Sequence, residues 1–202
     1  GGILATNYGS GQTVVTSTGT VQDTGASAEN GISVFSETGS TSTTINVNNV
    51  SGRQAINATH RGTEGVSITA TGSVSGTTDS AIWSNNANGG ATTITTSGAV
   101  NAQFYGIYAK NDSAGEDMTI STAAVSGGRD GIKAQNDGTG STSVTATGTI
   151  LGGGMNSGIR FSGQGTNGSI NVANVTGGSG IRASHRGSGD FNLTASGTIT
   201  GQ

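Results

Sequence analysis

A chain of 202 residues with 38 Gly, no Pro, no Cys, 9% charged and 4% aromatic side chains has too few large apolar groups for one thick globular core. Its net charge of -3 gives no basic footprint for nucleic acid, its lack of Cys excludes a disulfide scaffold or thiolate metal site, and no apolar run approaches the roughly 20 residues of a membrane helix. High Gly with low hydrophobicity also marks disorder, but disordered chains carry Pro and charge, whereas this one carries the Thr, Val, Ile, Asn and Ser of strands and turns.

In chain order, eight isoleucines open eight units: Ile3, Ile32, Ile56, Ile82, Ile107, Ile132, Ile159 and Ile181, each after Gly or Ala and spaced 22 to 29 residues apart. A second aliphatic ladder follows each by 11 to 13 residues: Val15, Ile45, Ile68, Ile94, Ile120, Val144, Ile170 and Leu193. A third is Val21, Val50, Val74, Val100, Val125, Ile150, Val175 and Ile199. Mostly small or apolar residues sit two positions after the first two ladders, such as Ala58, Ala109 and Ala134, or Val47, Ala70 and Ala146. Residues two apart share a face of a strand, so each unit predicts short strands with aliphatic and small groups pointing inward. No window sustains the i, i+3, i+4, i+7 pattern of a helix.

The step from the second to the third ladder is 6 in units one, three, four, six and eight, where Gly19, Gly72, Gly98, Gly148 and Gly197 stand two residues before the aliphatic. It is 5 in units two, five and seven, which lack that Gly. A one-residue change in a straight strand flips every later side chain, so a corner is expected between these ladders, with Gly as its extra residue. No helix pattern follows these glycines, which argues against phosphate loops.

A unit with three buried aliphatics cannot offset the ordering of its backbone, so the units must stack. Strands repeating every 25 or so residues then run parallel, and parallel crossovers are right-handed. The predicted fold is an all-β, right-handed parallel β-helix (a β-solenoid) of about eight turns, roughly 25 residues per turn, with 1–202 as a single domain. The connections vary as surface loops do; the longest is Gln22 to Asn30, another carries Phe104 and Tyr105, and another runs Leu151 to Ser157. No signal peptide opens the chain and no polar cap closes it after Gln202, so it is expected to be a fragment of a longer array. Ile56-Asn57-Ala58-Thr59-His60-Arg61-Gly62 and Ile181-Arg182-Ala183-Ser184-His185-Arg186-Gly187 look like duplication products, as do Asn111-Asp112 and Asn136-Asp137.

The recurring pattern, seen in Gly131-Ile132-Lys133-Ala134 and Val144-Thr145-Ala146-Thr147-Gly148-Thr149-Ile150, resembles the passenger domains of bacterial autotransporters and is similar to filamentous-haemagglutinin-like secreted adhesins. The resemblance spans the whole chain. It implies a secreted or bacterial cell-surface stalk with an adhesive role, exported through a C-terminal β-barrel that this chain lacks. The partners it implies are a host-cell surface, extracellular matrix or glycan, with self-association as a further possibility and membrane contact only through that barrel.

No catalytic residues, cofactor or metal site are expected. The only histidines, His60 and His185, stand in polar contexts that read as solvated loop positions. Asp112 and Asp137 could stack one turn apart, with Asp117 and Asp130 nearby, but Asn-Asp before Gly is ordinary turn chemistry; a weak cation site or an acid/base pair is the competing reading. Polysaccharide-cleaving β-helices keep a carbohydrate-active enzyme as one alternative. A second is ice binding, because the outward positions of the second strand repeat Thr, mixed with Asn, Ser and Ala: Thr16/Thr18, Asn46/Asn48, Thr69/Thr71, Thr95/Ser97, Ser121/Ala123, Thr145/Thr147, Asn171/Ala173 and Thr194/Ser196. Beside the opening Ile, a different outward line reads Asn57, Trp83, Tyr108, Lys133, Arg160 and Arg182 on consecutive units. Its last five residues are the candidate partner-binding site, since aromatic and Arg side chains anchor recognition surfaces.

Overall fold

The computed structural model describes residues 1–24 and 29–202. The middle of the Gln22–Asn30 connection therefore lies outside the described residues. The strands are β1 (Ile3–Asn7) and β2 (Thr13–Gln22) in the first turn, β3 (Ile32–Ser36) and β4 (Thr43–Gly52) in the second, and β5 (Ile56–His60), β6 (Val66–Ala70) and β7 (Val74–Gly76) in the third. The fourth turn holds β8 (Ile82–Asn86), β9 (Gly90–Thr96) and β10 (Val100–Ala102), and the fifth β11 (Ile107–Asn111), β12 (Gly115–Thr122) and β13 (Val125–Gly127). The sixth holds β14 (Ile132–Asn136) and β15 (Thr142–Leu151), the seventh β16 (Ser157–Gly163) and β17 (Gly168–Gly177), and the eighth β18 (Ser179–His185), β19 (Phe191–Ala195) and β20 (Ile199–Gly201). The opening strands form one sheet in the order β1-β3-β5-β8-β11-β14-β16-β18, called sheet A here; the others form sheet B. All pairings are parallel, the β-solenoid that the ladders predict.

The three ladders are the register of the sheets. Ile56, Ile82, Ile107 and Ile132 are successive partners in sheet A, and Ile45, Ile68, Ile94 and Ile120 in sheet B. Every one of these side chains is fully buried. Stacked β-branched side chains suit this geometry because their stiff rotamers fill the space above the same residue type one turn away. Phe161 replaces the Ala of other turns and stays buried because Gly163 and Gly168 flank it, where the preceding turn has Asn136 and Thr142. A Cβ at Gly168 would lie 3.1 Å from the Phe161 ring and 2.7 Å from Phe191.

The corner between the second and third ladders takes two forms: the strand breaks there in turns three, four, five and eight, and runs through it in turns one, two, six and seven, with a bulge where six-step and five-step turns meet. Strand β2 runs unbroken, yet its register on β4 shifts between Ser17 and Thr20; β15 on β17 does the same between Ala146 and Thr149. Two residues of the six-step turn face one of the five-step turn, so the extra residue is absorbed and Val21 again meets Val50. The corner glycines have ordinary φ, and at Gly72 the need is for room: a Cβ there would come within 2.3 Å of the Asn48 and Asn49 side chains, whereas one at Gly19 of the first turn would meet nothing within 4 Å. Asn49 and Asn174 serve the backbone there. The Oδ1 of Asn49 accepts from the Ser73 amide at 2.8 Å, and that of Asn174 from the Thr198 amide at 2.9 Å. The shorter corner thus satisfies an amide of the longer one stacked on it.

Where sheet A turns into sheet B, the inward column is polar. Ser36, His60, Asn86, Asn111 and Asn136 are consecutive partners, and all are fully buried. The asparagines tie the turn to the strand: Asn86 Nδ2 donates to the Gly90 carbonyl at 3.0 Å, and Asn136 Nδ2 to the Glu116 carbonyl at 3.0 Å. In the earlier turns a hydroxyl relay does this work, with Thr13 Oγ1 2.7 Å from Ser36 Oγ, Ser36 Oγ 2.8 Å from Thr43 Oγ1, and Thr43 Oγ1 3.0 Å from His60 Nδ1.

His60 corrects the sequence expectation. It is not a solvated loop residue: after Ile56 and Ala58 it is the third inward residue of β5. His185 takes the same column position in the last turn and is half-buried, 6.1 Å from the Phe191 ring. Burial lowers the pKa of His60 from its ordinary 6.5, against the opposing pull of the Thr41 carbonyl and Glu64.

Two outcomes are expected. Ile107→Asp places a carboxylate in the middle of the first ladder and should cost about 5 kcal/mol. At about 2–4 °C per kcal/mol, the melting midpoint should fall by roughly 10–20 °C; an unchanged midpoint refutes the inward assignment. For His60, the unfolded chain takes up a proton more readily than the folded one, so stability is full above pH 6.5 and falls as pH drops below it. His60→Asn extends the asparagine column, and its melting midpoint should fall less than the parent's between pH 7.5 and 5.

Candidate aromatic–cationic strip on sheet A

Strand alternation turns the residue between the opening Ile and its inward companion outward, and the stacking register lines those residues up. Asn57 pairs with Trp83, Trp83 with Tyr108, Tyr108 with Lys133, Lys133 with Arg160, and Arg160 with Arg182. All five candidate residues are therefore in one line parallel to the solenoid axis. Four steps of about 4.8 Å separate Trp83 from Arg182, a span of about 19 Å.

The aromatic end is a packed cluster rather than an open row. The Trp83 and Tyr108 rings meet edge to face, 4.4 Å between centroids at 88°. Tyr105, from the loop after β10, folds over Tyr108 at 5.3 Å, and Phe104 flanks it at 6.4 Å. Tyr108 is consequently only 9% exposed although it points away from the core, and Trp83 is half-buried. Burial raises the Tyr108 pKa above its ordinary 10. Phe104, at 43% exposure, is the most open ring of the cluster.

Cations close the cluster from the next turn. Lys133 Nζ lies 4.1 Å from the Tyr108 centroid and 5.4 Å from that of Tyr105. Arg129 stands over Phe104 at 5.6 Å and Tyr105 at 5.5 Å. The Arg129 amide donates to the Phe104 carbonyl at 2.8 Å, so the two connecting loops are stacked as the strands are. The Lys133 pKa is lowered, first by burial and next by the positive charge of Arg160. Arg160 and Arg182 are exposed. Among the described residues, ion pairs join Gly1 to Asp23 and Glu29, Arg61 to Glu37, and Lys110 to Asp112; none involves Arg129, Lys133, Arg160 or Arg182.

Arg129 and the covering role of Tyr105 are absent from the sequence reading. Loops have no period, so a loop residue cannot be placed from the ladder. The available signal was position: Phe104 and Arg129 are 25 residues apart, one turn.

The carboxylates behave as turn residues. Asp112 and Asp137 do occupy equivalent positions on adjacent turns, their amides donating to the Asn86 and Asn111 carbonyls at 3.0 Å. Asp112 pairs with Lys110, whose pKa it raises by hydrogen bonding, while Asp137 accepts from Gln135 Nε2 at 2.7 Å and Gln164 Nε2 at 3.0 Å. Asp117 accepts from the Ser141 amide at 2.7 Å, and buried Asp130 from the Ser157 amide at 2.8 Å. Among the described residues no group of three or more His, Asp and Glu side chains is arranged to hold a metal ion.

On sheet B, two outward columns run in register through all eight turns. One is Val14, Thr44, Ser67, Thr93, Thr119, Ser143, Ser169 and Asn192; the other is Thr16, Asn46, Thr69, Thr95, Ser121, Thr145, Asn171 and Thr194. Not one of these positions is charged. The sequence expectation names the second column and the positions two residues beyond it, from Thr18 to Ser196, and omits the first, which begins with Val14 and contains fewer Thr.

The strip, then, offers ring edges at one end and, at the other, cations with no ion pair among the described residues, along a single line. Compared with protein-family models, curated proteins and solved structures, the chain matches none.

Proposed function

We propose that this chain is a structural and adhesive segment of a secreted bacterial surface protein, a β-solenoid stalk that displays a binding face and performs no catalysis. The observation that carries the reading is the line Trp83, Tyr108, Lys133, Arg160 and Arg182 on the outer face of sheet A. A solenoid holds such a line straight over its five turns with no backbone left to order on binding, which suits an elongated ligand on a cell surface, in a matrix or on a glycan. The resemblance to autotransporter passengers supports the surface location.

The test is attachment of the purified chain to cells and to immobilised glycans. Trp83→Ala combined with Arg160→Ala should lower attachment several-fold. Trp83→Ala loses the edge-to-face contact and the burial of part of the indole, together about 2–3 kcal/mol, so the midpoint should fall by roughly 4–12 °C, with an unchanged far-UV spectrum at about 25 °C. Binding equal to that of the parent overturns this reading of the strip.

A second reading rests on the two uncharged columns of sheet B. Thr and Ser side chains on most rungs of these columns present hydroxyls on a lattice, the property needed to order water for ice binding. Measurable thermal hysteresis, abolished by Thr95→Lys in the middle of the array, supports it. No hysteresis at millimolar protein removes it.

A further inference from the structure

Resting on the adhesive reading of the strip, we infer that its ligand is a linear acidic polysaccharide, laid parallel to the solenoid axis with its carboxylate or sulfate groups against Lys133, Arg160 and Arg182. These three cations are direct partners on adjacent strands, about 4.8 Å apart, and none has an ion-paired carboxylate among the described residues. Like charges facing each other across a ladder destabilise a sheet. The repulsion is visible in Lys133, whose pKa is lowered by Arg160 as well as by burial. The turns before them place Asn57 and Ser33 in the same column, so nothing in the fold requires a cation there. The chain carries only 8 Lys and Arg in a net charge of -3, so three of them stacked without an ion pair among the described residues, with Asp130 acting on Lys133 from beyond ion-pair distance, are a local exception. A ligand with regularly spaced negative groups removes the repulsion, and a ligand of the strip's own length removes all of it.

The aromatic end points to sugar rather than nucleic acid. Trp83 and Tyr108 are packed edge to face and Tyr105 covers Tyr108, so no open slot between parallel rings receives a base. The exposed ring of Phe104 and the half-buried Trp83 instead offer apolar surface to the C–H faces of a sugar ring. The cations lie beyond the rings on one side only, as a charged stretch continuing from a sugar that is stacked at the end.

The experiment uses oligogalacturonates from dimer to octamer, and the same chains with every carboxyl methyl-esterified, titrated calorimetrically into the purified protein. Affinity for the acidic series should rise with length until the oligomer covers about 19 Å, then level off, and should fall with added salt. The esterified series should bind at least about tenfold more weakly. Arg160→Gln with Arg182→Gln should cause a similar loss while leaving the melting midpoint unchanged or higher, since a repulsion has been removed. Equal binding of the two series overturns the inference and leaves the adhesive reading standing, as does cell attachment that depends on Trp83 and Arg160 without binding of the acidic series. Tighter binding of a single-stranded oligonucleotide of matched charge overturns the ligand class. A midpoint lowered by more than a few degrees in the Arg variant shows that the cations are structural and overturns the inference as well. Failure of both the acidic series and cell attachment removes the adhesive reading with it.

Discussion

Everything in this molecule depends on the parallel pairing of each turn with the next in strict residue register. A single turn has about three large inward side chains and no partner for its backbone amides. Stacked, the same turn has its N–H and C=O groups bonded above and below and its Ile or Val pressed against identical groups. The interior is correspondingly narrow. It is filled by like-on-like contacts along the axis rather than by interdigitation of unlike layers, which explains how so Gly-rich and weakly hydrophobic a sequence keeps its ladders buried from the second turn to the seventh, while Leu193 and Ile199 of the eighth are exposed. Where one position departs from the pattern, other residues of its own turn compensate, as Gly163 and Gly168 do around Phe161.

The same register makes the outer surface a set of straight lines. Any outward position becomes a column, and the chemistry of the column is decided one turn at a time. On sheet B the columns stay neutral and hydroxyl-rich throughout. On sheet A one column changes from polar to aromatic to cationic as it climbs. This contrast between faces is the strongest functional information in the structure, because the core would be equally satisfied by other outward residues.

The ladders were fully legible in the sequence, since Ile and Val recur with the same partners that the sheets show. So was the outward line, which follows from alternation once the ladder is known. The location of the corner was legible, but its form was not: a change of step from 6 to 5 reveals an extra residue without revealing that β2 and β15 pass through it unbroken. His60 was misplaced because its neighbours Thr59 and Arg61 are polar, although counting two and four residues from Ile56 puts it inside. The cover that Tyr105 and Arg129 form over Tyr108 was not legible, because connecting loops differ in length and their side chains follow contacts rather than a period. Outward on a strand proved to be a statement about direction, and exposure depended on what the loops did next.

The corner bulge has a consequence for how such a chain can change. A surplus residue in an ordinary strand would invert everything after it, but here the fault is healed within a few residues and the third ladder resumes its alignment. Each turn therefore resets the reading frame of the next. A misaligned copying event that leaves one turn a residue long or short need not propagate along the array, provided that an Asn49-like amide or a glycine is at hand to accommodate the mismatch. The near-copies at His60 and His185, five turns apart, show what such tolerance permits: growth and reshuffling by whole turns, with the axis, the core and the straightness of each surface line inherited automatically.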